Sequence, residues 1–512
     1  MKRLTITLFI LAIFLLNMLP ACDGLDDNYS TNPTYRLSFS TDTLAFDTIF
    51  STIGSTTRQF MIYNKNSEPL NIESIMLASG EATGFRMNVD GRKGSSFNNV
   101  GILANDSMYV FVEVTVDPNG GNQPLLIQDS VLFTVNGIRQ SVLLEAYGQD
   151  VNLYKGGVTI TKDSTLTANR PYLIYDSLVI ANGVSLNIEK GAIFYMHDKA
   201  NLVVHGSMNA LGTLDEPITF RGDRLDYILN DILPYDRTPG QWGGIIFKAN
   251  SHGNVWDNVI VRNGTSGIYC EPSTTDRPKI KINNSQITNM GSDLFFAVNC
   301  DIIATNTEFS NAGGSVLVLV GGKYYFAHCT MANYMSLTKR EMASETVPLD
   351  SKCLYLLNNV TIDGNGPYPI TQAYFDNCII DGSHDAGDFK TLGEIEISSN
   401  KELSTKADGD TDFDYQFNHC VLKAEETSSE HFKEVLFIKK TPSYRKIGGK
   451  SNKYIYDFRP DSVSTTGVGK ADPEITKNYP IDRYGVNRLT SSNGPTIGAY
   501  EFVQEETENS DE

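Results

Sequence analysis

Positive charge is in short supply in this 512-residue sequence: 42 Lys and Arg stand against 61 Asp and Glu, a formal net charge of −19. Proteins that bind nucleic acid neutralise phosphates with a basic face, so that class is excluded as an expectation. Polyanionic sugars are disfavoured as well, unless a local basic strip or bound calcium reverses the field. Cysteine is scarce at seven, and no CxxC or Cys/His spacing suits zinc. No Ser/His/Asp arrangement and no phosphate-cradling glycine loop stands out. The length nevertheless leaves room for two or more domains and a large core.

What is present is one short phrase that returns from Trp256 onward: apolar, polar, Asn or His, small, any, apolar, any, Asn. Its copies begin at Trp256, Ile282, Ala304 and Phe326, with weaker ones at Leu357, Phe375 and Phe417. The apolar and small slots are expected to share one strand face. Repeats spaced about 20–30 residues apart mean a solenoid, because each copy is too short to bury its own face and must stack. Stacking would place Trp256, Ile282, Ala304, Phe326, Leu357, Phe375 and Phe417 in one inner column. A second would be Val261, Ile287, Phe309, Met331, Ile362, Ile380 and Leu422. A small column between them includes Cys329, Cys378 and Cys420, which read as buried free thiols. The closing slot supplies a structural ladder of Asn263, Asn289, Asn311 and Asn333, whose amides can bond along the column and tolerate left-handed backbone at a corner. His328 and His419 fill a slot held by Asn elsewhere and read as ladder substitutes.

This texture resembles the right-handed parallel β-helix of the pectate-lyase-like superfamily over about residues 155–500. The early phrases Gly212-Thr213-Leu214-Asp215 and Gln241-Trp242-Gly243-Gly244 carry the same resemblance. Glycines such as Gly183, Gly191 and Gly206 break short alternating runs, as rung corners require. The closing phrases Asp482-Arg483-Tyr484-Gly485 and Ile497-Gly498-Ala499-Tyr500 resemble the terminal phrase of bacterial β-helix proteins, in which the chain covers the last open rung.

Upstream of the repeats, Met1-Lys2-Arg3, an apolar run at 4–19 and Pro20-Ala21-Cys22 describe an export signal over 1–21 rather than a membrane span. It resembles a bacterial lipoprotein signal, which implies lipidation of Cys22 and a membrane partner through that anchor. Asp23, Asp26 and Asp27 then resemble the surface-export signal of Bacteroidetes-type lipoproteins, implying an outer-membrane protein displayed at the cell surface. Residues 22–35 read as a tether. Alternating runs over 36–150, with Asn136-Gly137 as a hairpin turn, predict a β-sandwich. Asn64-Lys65-Asn66, Asp117-Pro118 and Tyr147-Gly148 resemble immunoglobulin-like domains of the cilia- and spindle-protein type. The expected fold class is therefore all-β: an immunoglobulin-like sandwich, then a right-handed parallel β-helix over 151–502 and an acidic, disordered tail over 503–512.

Three stretches leave the expected coil. Residues 221–240 form a loop too long for a plain corner and begin with Arg221-Gly222-Asp223, an adhesive tripeptide that is common by chance. Residues 337–349 suit a short surface helix. Residues 383–414 are acidic and end in Asp408, Asp410, Asp412 and Asp414, alternating carboxylates that are candidates for calcium although the glycine is misplaced for an EF-hand. No cofactor is required by this reading; calcium is the one left open.

Glycosidases need two carboxyl groups at set separations. By the resemblance, a lyase would use a Lys or Arg base in a groove outside the coil. The outward slots offer Asp363 and Asp381 on adjacent rungs, close to Lys423, as catalytic candidates. The competing reading is that Asp-Gly at both places is an ordinary turn. The polygalacturonase-type signatures are absent: there is no Asn-Thr-Asp triplet, the Asp-Asp pair is Asp26-Asp27 in the tether, and His252 lacks a second flanking glycine. The favoured function is accordingly a non-enzymatic surface lipoprotein that presents a β-helix face to glycans or cell-envelope material. The alternatives are a polysaccharide lyase or glycoside hydrolase, and a structural or adhesive envelope protein.

Overall fold

The computed structural model describes residues 29–229, 232–338, 340, 351–390, 392–403 and 413–504. They form two compact units that divide between Gln149 and Asp150.

In the first unit two five-stranded sheets share one core. Alternation along each strand decides the inner face: Val131, Phe133 and Val135 are buried in one strand, and Val110, Val112 and Val114 in another. Aromatic rings join the sheets, with Phe39 4.9 Å and Phe60 6.2 Å from Phe133. Strands Leu125–Val135 and Ile138–Gln149 are linked by the two-residue turn foreseen at Asn136-Gly137, both with positive φ (48° and 71°). That backbone matches the twist of the flanking strands.

The second unit is built from three long parallel sheets of eleven, nine and ten strands. Successive strands visit the three sheets in turn, so each circuit of chain adds one strand to each. Like therefore lies over like. Phe220, Val261, Ile287, Phe309, Met331, Ile380 and Leu422 pair in register up the inner face of the eleven-stranded sheet. Trp256, Ile282, Ala304, Phe326, Phe375 and Phe417 do the same in the ten-stranded sheet. All are buried, and burying one such large side chain is worth about 1.5–3 kcal/mol. Phe326, Phe375, Phe417 and Phe432 stack nearly parallel at 5.1, 4.8 and 5.3 Å. The six described cysteines are buried and free.

Four expectations need correction. First, the repeated phrase is not one strand but two, joined by a corner. Its third residue is left-handed in every copy: Asn258, Asn284, Asn306, His328, Asn359, Asn377 and His419 have φ of 48–55°. The corner explains why the first apolar slot and the small slot are three residues apart and both buried, as Trp256 and Val259 are.

Second, the copy at Leu357 is not a rung. Strand Leu354–Asn358 belongs to the nine-stranded sheet, and Val360–Ile362 turns back on Asn365–Tyr368 as an antiparallel hairpin. Met331 pairs directly with Ile380, so Leu357 and Ile362 leave the two inner columns.

Third, residues 383–414 are not wholly an insertion, since strand Ile395–Ser399 adds to the nine-stranded sheet. Fourth, the C-terminal phrase runs along the side of the coil instead of over its end. Ala471 and Ile497 cover Ile379 and Val421 on the outer face of the eleven-stranded sheet. Arg483 Nε donates to Ser285 O (3.1 Å), and the Ala499 amide donates to Thr330 Oγ1 (3.0 Å). The outward side chains of those rungs are apolar or hydroxylic enough to accept a cover, and Glu308 is matched by the Tyr500 hydroxyl.

Candidate functional site

Asp381 stands outward on strand Ile379–Gly382, and Lys423 lies just beyond strand Val421–Leu422 on the next turn. They are adjacent, with Lys423 Nζ 3.8 Å from Asp381 Oδ1. Both are sealed in, however, at 0% and 6% exposure. Tyr334 donates its hydroxyl to Asp381 Oδ2, and Lys423 Nζ donates to Gly382 O at 2.6 Å. Burial pushes the Asp381 carboxyl up to about 6, against the Tyr334 hydrogen bond and the Lys423 charge, which both favour its ionised form. Beside it Arg340 grips Glu394 with two bonds of 2.8 Å and also donates to Asn333 O and Ser383 Oγ. This is an internal electrostatic network with no face open to a polymer.

Asp363 does not join them. It occupies the turn of the hairpin Val360–Ile362/Asn365–Tyr368, exposed and left-handed (φ 49°). Its charge acts on Tyr269, on the outer face of the nine-stranded sheet, whose hydroxyl pKa is raised by burial, Glu271 and then Asp363. Asp363-Gly364 is thus the ordinary turn, and the adjacency with Asp381 fails because the hairpin leaves the coil.

The asparagine ladder differs in detail. Asn263, Asn289 and Asn311 are left-handed, but Asn333 is not. Two of these amides bond across turns to backbone groups: Asn311 Oδ1 accepts from the Tyr334 amide (3.0 Å), and Asn333 Nδ2 donates to Gly314 O (3.1 Å). His328 sits in its corner as a neutral ring, its Nε2 3.0 Å from both Asn377 Nδ2 and Thr476 Oγ1, with burial and then Arg488 lowering its pKa. Arg221-Gly222-Asp223 closes a strand rather than tipping a loop; Gly222 is buried and Asp223 meets His197 Nδ1 at 2.6 Å.

Cys22, Asp408, Asp410, Asp412 and most of the helix expected over 337–349 lie outside the described residues. Asp414 is exposed and accepts the Tyr374 hydroxyl at 2.7 Å. Among the described residues no group of three or more His, Cys, Asp or Glu is placed to hold a metal ion.

The open site is one that the sequence reading did not single out. The corner residues Asn258, Asn284 and Asn306 line a groove of about 440 Å³ together with Asp257, and the C-terminal segment around Ile481 forms its other wall. Asp257 Oδ1 accepts from Asn258 Nδ2 (2.8 Å) and Asn284 Nδ2 (2.9 Å), while burial raises its pKa. Asn306 Nδ2 donates to Ile481 O (2.9 Å), fixing the wall to the floor. Asp482, also in the wall, is consumed: it accepts from the amides of Tyr484, Val486 and Glu501, each at 2.8 Å. Amides, hydroxyls and one carboxylate beside an exposed Ile481 suit a polyhydroxylated ligand; a second free carboxyl group is not among the described lining residues. The signal that could have found this groove was the Asn or His of the third slot, recurring once per turn.

No family model matches the chain, and no curated protein matches it. Among solved structures, a family 123 glycoside hydrolase from Clostridium perfringens is 8% identical over 24% of this chain and 31% of its own, with a TM-score of 0.17. The E. coli chaperone DraB is 10% identical over 22% and 54% (TM-score 0.16). The ASH/PapD-like domain of human CEP192 is 9% identical over 25% and 95% (TM-score 0.16). The chain spans about a third of the first of these and about half of the second. Similarities at this level carry no argument about function.

Proposed function

We propose that this chain is a lipid-anchored cell-surface protein whose right-handed parallel β-helix, behind an immunoglobulin-like domain, presents a non-catalytic binding face to glycans or cell-envelope material. The observation that supports it is the groove lined by the part-exposed amides of Asn258 and Asn284, open to solvent, while the Asp381–Lys423 pair is sealed. Hydroxyl-rich ligands are held by side chains that both donate and accept, which amides do. The right-handed coil, its place in the pectate-lyase-like superfamily, the Cys22 anchor and outer-membrane display are parts of the same reading and rest on the residues quoted for them above.

A second reading, a polysaccharide lyase or hydrolase, is favoured by Asp257, a carboxylate of raised pKa at the groove wall. A glycan array run beside reducing-end and unsaturated-uronate assays, with and without calcium, separates the two. Binding that Asn284→Ala abolishes, without turnover, is expected. Turnover lost in Asp257→Asn would make the enzyme reading right. Silence on glycans with capture of an envelope protein would favour a structural or adhesive role. An acyl probe should label the wild type and not Cys22→Ala.

A further inference from the structure

The segment between strands Ile218–Gly222 and Gly244–Phe247 rises from the coil as a small hairpin, Tyr227–Leu229 with Leu233–Pro234, followed by the turn Tyr235–Arg237. Beneath it the outer face of the eleven-stranded sheet carries two arginines side by side. Phe220 pairs with Val261 on the inner face, so Arg221 and Arg262, one position further on, stand opposite each other outside. Like charges directly opposed on neighbouring strands repel. These two are also largely withdrawn from water, with side chains 13% and 26% exposed.

A single oxygen answers both. Asp236 Oδ1 lies 3.0 Å from an NH2 of each arginine. Asp236 is not part of the sheet; it hangs over it on the turn Tyr235–Arg237, held by Asn263 Nδ2 donating to its carbonyl at 3.0 Å. The match is incomplete. Among the described residues Arg262 Nε is buried with no hydrogen-bond partner. Burial, opposed by Asp236 and reinforced by Arg221, lowers the pKa of Arg262. A guanidinium offers five donors in a planar fork that suits two oxygens of one anion. Arg221 also donates to Gly222 O and Arg224 O, each at 3.3 Å, while the shared carboxylate oxygen uses little of the capacity of Arg262. An unsatisfied buried donor calls for an explanation, and a site shaped for an anion is one.

We propose that Arg221 and Arg262 form an oxyanion-binding site that Asp236 fills in the free protein as a tethered competitor. The ligand it takes carries a carboxylate, sulfate or phosphate, which displaces Asp236 and reaches both forks. In a chain of net charge −19 this pair is a local reversal of sign, and it selects acidic ligands that the rest of the surface repels. The site is distinct from the amide groove, which lies at the other end of these strands, so failure of the glycan reading leaves it standing.

The test is calorimetric titration of the whole chain with inorganic sulfate, inorganic phosphate and glucuronate at matched ionic strength. A tethered group competes at an effective concentration on the order of millimolar. Removing it by Asp236→Asn is therefore expected to tighten at least one probe by about tenfold or more over wild type. Asp236→Asn combined with Arg262→Gln is expected to lose that gain. The preferred probe identifies which oxyanion the site takes. If Asp236 is only a clamp for the loop, Asp236→Asn binds no probe more tightly than wild type, and the proposal is overturned. Should that variant fail to fold in chloride, refolding is compared in sulfate and phosphate at equal ionic strength. Recovery in an oxyanion, absent in the double variant, supports the site; failure in all three salts counts against it.

Discussion

Asp381→Asn tests the electrostatic account of the interior. The carboxyl is pushed up to about 6 from an ordinary 3.8, chiefly by burial. A folded-state value above the unfolded one means that the folded protein binds the proton more tightly between those two pH values. Stability then falls as pH rises through that window, and is fully restored below it. About two pH units at about 1.4 kcal/mol each make the ionised form roughly 3 kcal/mol less favourable to fold than the neutral one. Asparagine is neutral throughout and keeps the shape of the side chain. Relative to wild type, the variant should therefore gain about 3 kcal/mol between pH 4 and pH 7, whatever its absolute stability. The assay is urea denaturation at pH 4, 5, 6 and 7, followed by near-UV circular dichroism. A stability difference that stays constant across that range, or one that turns against asparagine as pH rises, would refute the reasoning. It would mean that Lys423, 3.8 Å away, holds Asp381 ionised in spite of its burial. A value near 6 is also what a general acid would want, so the profile matters for function: what removes Asp381 from catalysis is its sealed position, not its acidity.

Three further outcomes follow from packing. Phe375→Ala removes a fully buried ring from the middle of the aromatic stack and is expected to cost about 3–5 kcal/mol in denaturant unfolding; a loss below about 1 kcal/mol would contradict the stacking. Gly267→Ala would place a Cβ 1.8 Å from Leu294 O, so the variant should lose most of its soluble yield or melt far below wild type; a normal melting curve would sink the register assigned there. Arg340→Met leaves Glu394 buried without its partner and should cost about 3–5 kcal/mol, read by the same denaturation assay at pH 7.

The inner columns were legible because apolar side chains at fixed intervals leave a mark in the sequence. Ile287, Phe309 and Met331 could be aligned by that mark alone, and they pair in register. The Leu357 copy was misread for the same reason: Leu357, Val360 and Ile362 have the right apolarity, and only Asp363-Gly364 with Gly366-Pro367 says that the chain doubles back. Outward positions gave a weaker signal. Nothing in the local sequence of Glu308 or Ile379 announces that Tyr500 and Ile497, more than a hundred residues later, will lie on them. The groove was missed because Asn258, Asn284 and Asn306 serve first as corners, and its far wall comes from that same distant segment. Arg221 and Arg262 meet only through strand pairing across a loop, so no window of sequence contains both.

The side cover has a bearing on how the protein comes into being. Residues 471–502 are the last described part to be synthesised, yet they rest on turns laid down long before, from Ser285 to Val421. Until the ribosome has delivered them, the older turns carry a bare greasy flank, and Glu308 lacks the Tyr500 partner of its second oxygen. A chain interrupted late is thereby conspicuous to proteases and chaperones, and only a finished one conceals its seam.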